Sequence, residues 1–316
     1  MFTLYPEIEP NRKYYLDTNT THKVYYEESG NPSGIPVIFL HGGPGSGSNE
    51  NHRRYFNPDQ YRIINFDQRG CNRSTPVGEV KNNTTQDLLQ DIESIRQSLN
   101  IDKWGLFGGS WGATLGLLYA QAYPQTVMAM VLRGCFLARP CDLEWFLGKG
   151  ANRIFPDAWD RFISYIPDAE RNDLMQAYYC RLTSDNPDQV VEAARHWADW
   201  TGRVVTYLLD IEEFVLPDDM TSLISETRIE THYGAHSYFI ESNQVLENLD
   251  IIPSVPIKVI HGRRDLTCTL DASWDLHHGL PQSNLMIVEQ GGHLAAETVM
   301  VDALIKATDT LAQSFT

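Results

Sequence analysis

The pentapeptide GGSWG at 108–112 constrains this chain more than any other feature. It is a G-x-S-x-G motif between an apolar run at 104–107 and an Ala- and Leu-rich stretch that Pro124 stops. In a strand–turn–helix setting, glycines flank the serine because the turn leaves no room for larger side chains. The serine is then lifted to the carboxyl edge of a sheet, at the start of a helix. Such a turn needs a parallel sheet around it, and the rest of the chain supplies one. Apolar or β-branched runs at 22–28, 36–40, 61–66, 127–132, 257–260 and 285–288 read as strands. Asn83 or Thr84 can cap a helix whose apolar positions Leu88, Leu89, Ile92, Ile95 and Leu99 share one face. A last helix is expected over 299–311. Strands alternating with helices give an α/β fold, a mostly parallel sheet covered on both faces.

The rhythm breaks near Cys135. From 138 to 240 the chain is aromatic, charged and helical in period, holding Trp145, Trp159, Trp197 and Trp200. It resumes at 257. The 316 residues therefore read as an α/β core (1–137 and 241–316) split by a helical cap (138–240), rather than as two sequential domains.

Charge excludes several partners. With 25 Lys and Arg against 41 Asp and Glu, the formal charge is −16. Nucleic acid and anionic membranes both call for a basic surface. No apolar run reaches the roughly 18 residues of a membrane span. The N-terminus lacks a basic region followed by an apolar one, so no signal peptide is expected. Five widely spaced cysteines without a CxxC pair suggest reduced thiols and a cytoplasmic protein. His232 and His236 stand four apart, but the HExxH pattern is absent, and no Gly-Lys-Ser/Thr phosphate loop occurs. No metal or cofactor is expected.

A serine hydroxyl is a weak nucleophile and needs a base and an orienting acid. In this fold they should follow in the order Ser, acid, His. His293, in the loop GGH at 291–293 past the last strand, is the expected base for Ser110. The pair His277 and His278 reads instead as a helix end. Asp265, after the strand at 257–260, is the expected acid, with Asp271 and Asp275 as alternatives. A developing oxyanion needs fixed N–H donors. Trp111 supplies one and the HGGPG loop at 41–45 the other, through Gly43.

These segments resemble the prolyl aminopeptidases (proline iminopeptidases), α/β-hydrolases that release N-terminal proline. The matching stretches are HGGPG at 41–45, DQRGCNRSTP at 67–76, GGSWGATLGLLYAQ at 108–121, LRGCF at 132–136, IFPDAW at 154–159, RIETHY at 228–233, HGRRDLTC at 261–268 and GGH at 291–293. The resemblance implies an α/β-hydrolase core under a helical cap, a triad of Ser110, Asp265 and His293, and small peptides with a free N-terminus as substrates. It also implies that carboxylates hold the substrate amine. Glu230 matches one of them, and Arg133 matches a residue at the rim of the active site. The second is expected in a Trp-Glu-Gly motif that here reads Trp200-Thr201-Gly202, so Thr201 replaces it; Asp199 and Glu192 are nearby substitutes. The alternative is a broader esterase or amidase on the same scaffold, with amine recognition relaxed at Thr201. A non-catalytic binding protein is the reading furthest from the sequence, because all three triad types are kept.

Overall fold

The computed structural model describes residues 1–207 and 215–315. Its centre is a sheet of eight strands among the described residues: β1 Arg12–Asp17, β2 Lys23–Gly30, β3 Ile35–Leu40, β4 Tyr61–Phe66, β5 Trp104–Gly109, β6 Val127–Arg133, β7 Ile257–Gly262 and β8 Ser283–Val288. Their spatial order is β1-β2-β4-β3-β5-β6-β7-β8. β2 runs antiparallel to β1 and β4, and all other neighbours are parallel. Parallel strands need long crossovers, and helices make them. In chain order the helices are α1 Thr85–Ser98, α2 Trp111–Ala122, α3 Pro140–Glu144, α4 Pro156–Ser164, α5 Leu174–Leu182, α6 Pro187–Val205, α7 Met220–Ala235, α8 Gln244–Glu247, α9 Leu270–Gly279 and α10 Thr298–Gln313.

The period-2 alternation of the strands sorts the core into two layers. Ile38, Leu40, Leu106, Met130, Leu132 and Val259 face α1, α2 and α9. Val37, Phe39, Phe107, Val131 and Ile260 face α10 and the short helix Glu50–Tyr55. Both faces are therefore covered, which is why the central strands read as continuous apolar runs. α1 starts at Thr84, whose side chain accepts from the Asp87 amide while Asp87 answers to Thr84, a capping box.

Helices α4, α5 and α6 build a third, separate cluster around Phe162, Tyr178, Trp197 and Trp200. Phe162 stacks on Tyr178 with centroids 4.5 Å apart. α7 belongs to both bodies. Its Leu223 packs into the helical cluster, and its Ile229 and Tyr233 pack into the sheet layer. Polar bonds fix it further. Tyr233 donates to Asn83 Oδ1 at 2.8 Å, His232 Nε2 lies 2.9 Å from the Asn83 carbonyl, and Ser225 donates to the Gly70 carbonyl.

Candidate active site

The register of the parallel strands sets the site. Leu40 on β3 pairs with Gly108 on β5, and Gly109 pairs with Arg133 on β6. The carboxyl ends of three strands thus finish side by side, and Ser110 stands where β5 turns into α2. Its φ of 57° and ψ of −126° lie where an L-residue is strained, at a cost of roughly 1–3 kcal/mol that the surrounding packing must offset. The flanking glycines are required by contact. A Cβ on Gly112 would overlap the Leu40 carbonyl, and one on Gly108 would overlap the Gly112 backbone.

The glycine loop after β3 is keyed to this turn. Burial lowers the affinity of His41 for a second proton. The neutral ring then donates from Nδ1 to the Gly42 carbonyl and accepts the Gln68 amide at Nε2, at 3.0 and 2.9 Å. Gln68 returns a bond to the His41 carbonyl and accepts from the Trp111 indole at 3.0 Å. Loop, β4 end and α2 are therefore registered by one glutamine. Gly43 lies in this loop and on the cavity wall. Trp111 is the first residue of α2, where backbone N–H groups lack an intrahelical acceptor.

His293, beyond β8, presents Nδ1 to Asp265 Oδ2 at 2.8 Å. Asp265, beyond β7, receives the Thr267 and Cys268 amides on Oδ1, both at 2.9 Å. Burial alone would raise the Asp265 carboxyl. The His293 imidazole, its hydrogen bond, His261 and the Cys268 amide outweigh that and hold it below the ordinary carboxylate value. With Nδ1 committed to Asp265, Nε2 is the nitrogen left for a partner on the cavity side. Gly134, at φ +50°, allows the chain to pass this pair, since a Cβ there would sit 3.1 Å from Asp265 Oδ2. The Ser110 hydroxyl lies 3.9 Å from the buried Cys268 thiol.

Ser110 and His293 share one cavity of about 450 Å³ with Gly43, Arg133, Thr201 and Glu230. Arg133 donates to the His293 carbonyl from Nη1 and lies against Gly109. Glu230, on α7, accepts from the Trp197 indole at 2.7 Å. Burial pushes its carboxyl up to about 8, opposed by the Trp197 bond and reinforced by the charge of Glu226.

Some expected residues lie elsewhere. Asp199 is bound to Arg161 and Arg203, and Glu192 is exposed on α6; neither reaches the cavity. Asp271 and Asp275 both pair with Arg139, 2.8 and 2.7 Å away, and His277 and His278 end α9. His232 and His236 are held by Asn83 and by the His232 carbonyl. Glu226 is a charged cavity residue that sequence reasoning missed. Its spacing of four from Glu230 was the available signal, since that spacing puts both on one helix face.

The α/β hydrolase fold family model matches residues 35–298. Among solved structures, a putative lipase from Acinetobacter baumannii superposes with a TM-score of 0.62 over 96% of this chain and 93% of its own, at 13% identity, a likeness of fold. Among curated relatives, a proline iminopeptidase of Xylella fastidiosa is 45% identical over 311 residues, covering 98% of this chain and 99% of its own. One from Xanthomonas citri is 45% identical over 314 residues, covering 99% and 100%. Likeness at that level, running from end to end of both chains, settles the relationship: this chain belongs to the proline iminopeptidase family of α/β hydrolases.

Proposed function

We propose that the chain is a serine aminopeptidase that releases N-terminal proline, or a related small residue, from short peptides. The observation that carries this reading is that His293, bonded to Asp265, lines a cavity that also holds Ser110 and a carboxylate for an amine, Glu230. The peptide's N-terminal ammonium lies against Glu230, and the first carbonyl lies over Ser110. His293 Nε2 takes the hydroxyl proton as Ser110 Oγ attacks that carbonyl. Asp265 fixes the tautomer and stabilises the imidazolium. The N–H groups of Gly43 and Trp111 receive the oxyanion. His293 then gives its proton to the leaving amine, and the shortened peptide departs. Water, deprotonated by the same imidazole, hydrolyses the acyl-Ser110 ester, releasing the amino acid and restoring the hydroxyl. Residues 138–240 serve as the cap that limits access to one residue, and Arg133 holds the His293 backbone at the rim.

Hydrolysis of proline arylamide by wild type and by Ser110→Ala tests the reading. Wild type should cleave it, and Ser110→Ala should lose about 10⁵–10⁶-fold in kcat. A wild type inactive on every aminoacyl arylamide would sink the proposal. The neutral Thr201 on the cavity wall favours a second reading, an esterase or amidase with relaxed amine recognition. It requires acyl esters without a free amine to be cleaved at least as fast as proline arylamide, and Thr201→Glu to move preference towards amines.

A further inference from the structure

Two carboxylates face the cavity, one helical turn apart. Glu226 and Glu230 are four residues apart on α7 and both line the space over Ser110. Like charges at that spacing repel on a helix, and burial sharpens the repulsion. Among the described residues neither carboxylate forms an ion pair with an Arg, Lys or His. The charges acting on Glu230 include that of Glu226, and no cation offsets it. Burial raises the Glu226 carboxyl too, with a hydrogen bond from Ser46 as the opposing influence. A pair of half-buried acids on a cavity wall without a cation is costly unless something cationic arrives.

The backbone fixes where that happens. The glycine loop presses on α7 at this residue, since a Cβ on Gly45 would lie 2.8 Å from the Glu226 carbonyl oxygen and 3.1 Å from its Cα. Ser46, next in the loop, lines the same cavity. Glu226 is thereby held at the boundary between the expected oxyanion loop and the wall that carries Glu230. The third candidate for an amine partner on that wall, Thr201 on α6, offers only a hydroxyl.

We infer that Glu226 is a specificity-determining residue that, together with Glu230, receives the substrate's ammonium group, so that one helix provides both carboxylates. This rests on the aminopeptidase reading above. A protonated prolyl amine is a secondary ammonium with two N–H donors, so two carboxylates one turn apart can each accept one of them while the serine attacks the adjacent carbonyl. Longer chains, whose equivalent nitrogen is a neutral amide, offer no such charge and gain nothing from the pair.

The test is steady-state kinetics of Glu226→Gln on two substrates, proline arylamide and an aryl acetate without an amine. Glutamine keeps an acceptor for Ser46 and removes only the charge. The expected result is a rise of about tenfold or more in KM for proline arylamide, with kcat changed far less and aryl acetate hydrolysis within about twofold of wild type. Equal losses on both substrates would mean a packing role and overturn the inference. So would an unchanged KM for proline arylamide in Glu226→Gln when Glu230→Gln raises it. Wild type without activity on proline arylamide would instead bring down the aminopeptidase reading, and this inference with it. Should Glu226→Gln fold poorly by circular dichroism, Glu226→Asp gives the same comparison, with a smaller rise in KM expected and an unchanged KM overturning the inference.

Discussion

At the scale of single residues, the site spends stability on charge. The Glu230 carboxyl is raised to about 8 from an ordinary value of 4.5. A raised carboxyl contributes stability that is full below the unfolded value and is lost as pH rises through the folded one. Glu230→Gln should therefore melt higher than wild type at pH 9, with a smaller gap at pH 5, by about 2–4 °C for each kcal/mol recovered. Thermal melts at the two pH values check this, and a gap that shrinks with rising pH would refute it. The same variant should lose activity on amine-bearing substrates. Asp265 is the opposite case, held low by His293 and two amides. Asp265→Asn should keep the fold and lose about 10⁴-fold in kcat, because the tautomer of His293 is no longer fixed. The sequence singles out Ser110, Asp265 and His293 as candidates because chain order and loop position restrict each to a few choices, and the structure bonds Asp265 to His293 and sets His293 and Ser110 on one cavity. Glu226 was legible only through Glu230, four residues on, because the letters SETRIE taken alone read equally well as a solvated helix turn.

At the scale of elements, apolar or β-branched runs announced seven of the eight strands, and those from β3 to β7, parallel and mostly buried on both faces, gave the most continuous ones. β1 escaped. Its sequence RKYYLD alternates between exposed and half-buried positions at the sheet edge, so it lacks the apolar run that marks the others. Helix starts were readable where caps are side-chain bonds, as at Thr84. The glycines of the turn make a sharp prediction. Gly112→Ala should destabilise by at least about 1–3 kcal/mol in urea unfolding, because the new methyl meets the rigid Leu40 carbonyl. Gly116→Ala, on the same helix, meets side-chain methyls rather than backbone, Leu40 Cδ1 at 3.2 Å and Leu132 Cδ2 at 3.9 Å. It should cost far less, since helix propensity returns up to about 1 kcal/mol. Equal costs for the two would mean that the close approach at Gly112 is not what demands glycine. The anchor of α7 can be weighed in the same way. Tyr233→Phe removes the bond to Asn83 and should cost about 1–3 kcal/mol by leaving a buried acceptor unpaired.

At the scale of the whole molecule, two hydrophobic bodies share one helix. Four of the seven tryptophans, Trp145, Trp159, Trp197 and Trp200, sit in or against the helical cluster, so intrinsic fluorescence reports mainly on that body. Far-ultraviolet circular dichroism reports on everything. Because α7 packs into both clusters, the two signals should change together in urea, as for a single cooperative transition. A fluorescence change completed before the dichroism change would show that the helical body melts alone. The shared helix also bears on how members of such a family could be recombined. A chimera that exchanges the helices of 138–205 and splices before Asp219 would replace the walls around a peptide. The host would keep its own pair of acids and its own grip on Asn83 and Gly70. A splice after Ala235 would carry the acids across and break every contact that α7 makes with the sheet. The crossover point thus decides whether a graft alters the reach of the pocket or its appetite for charge.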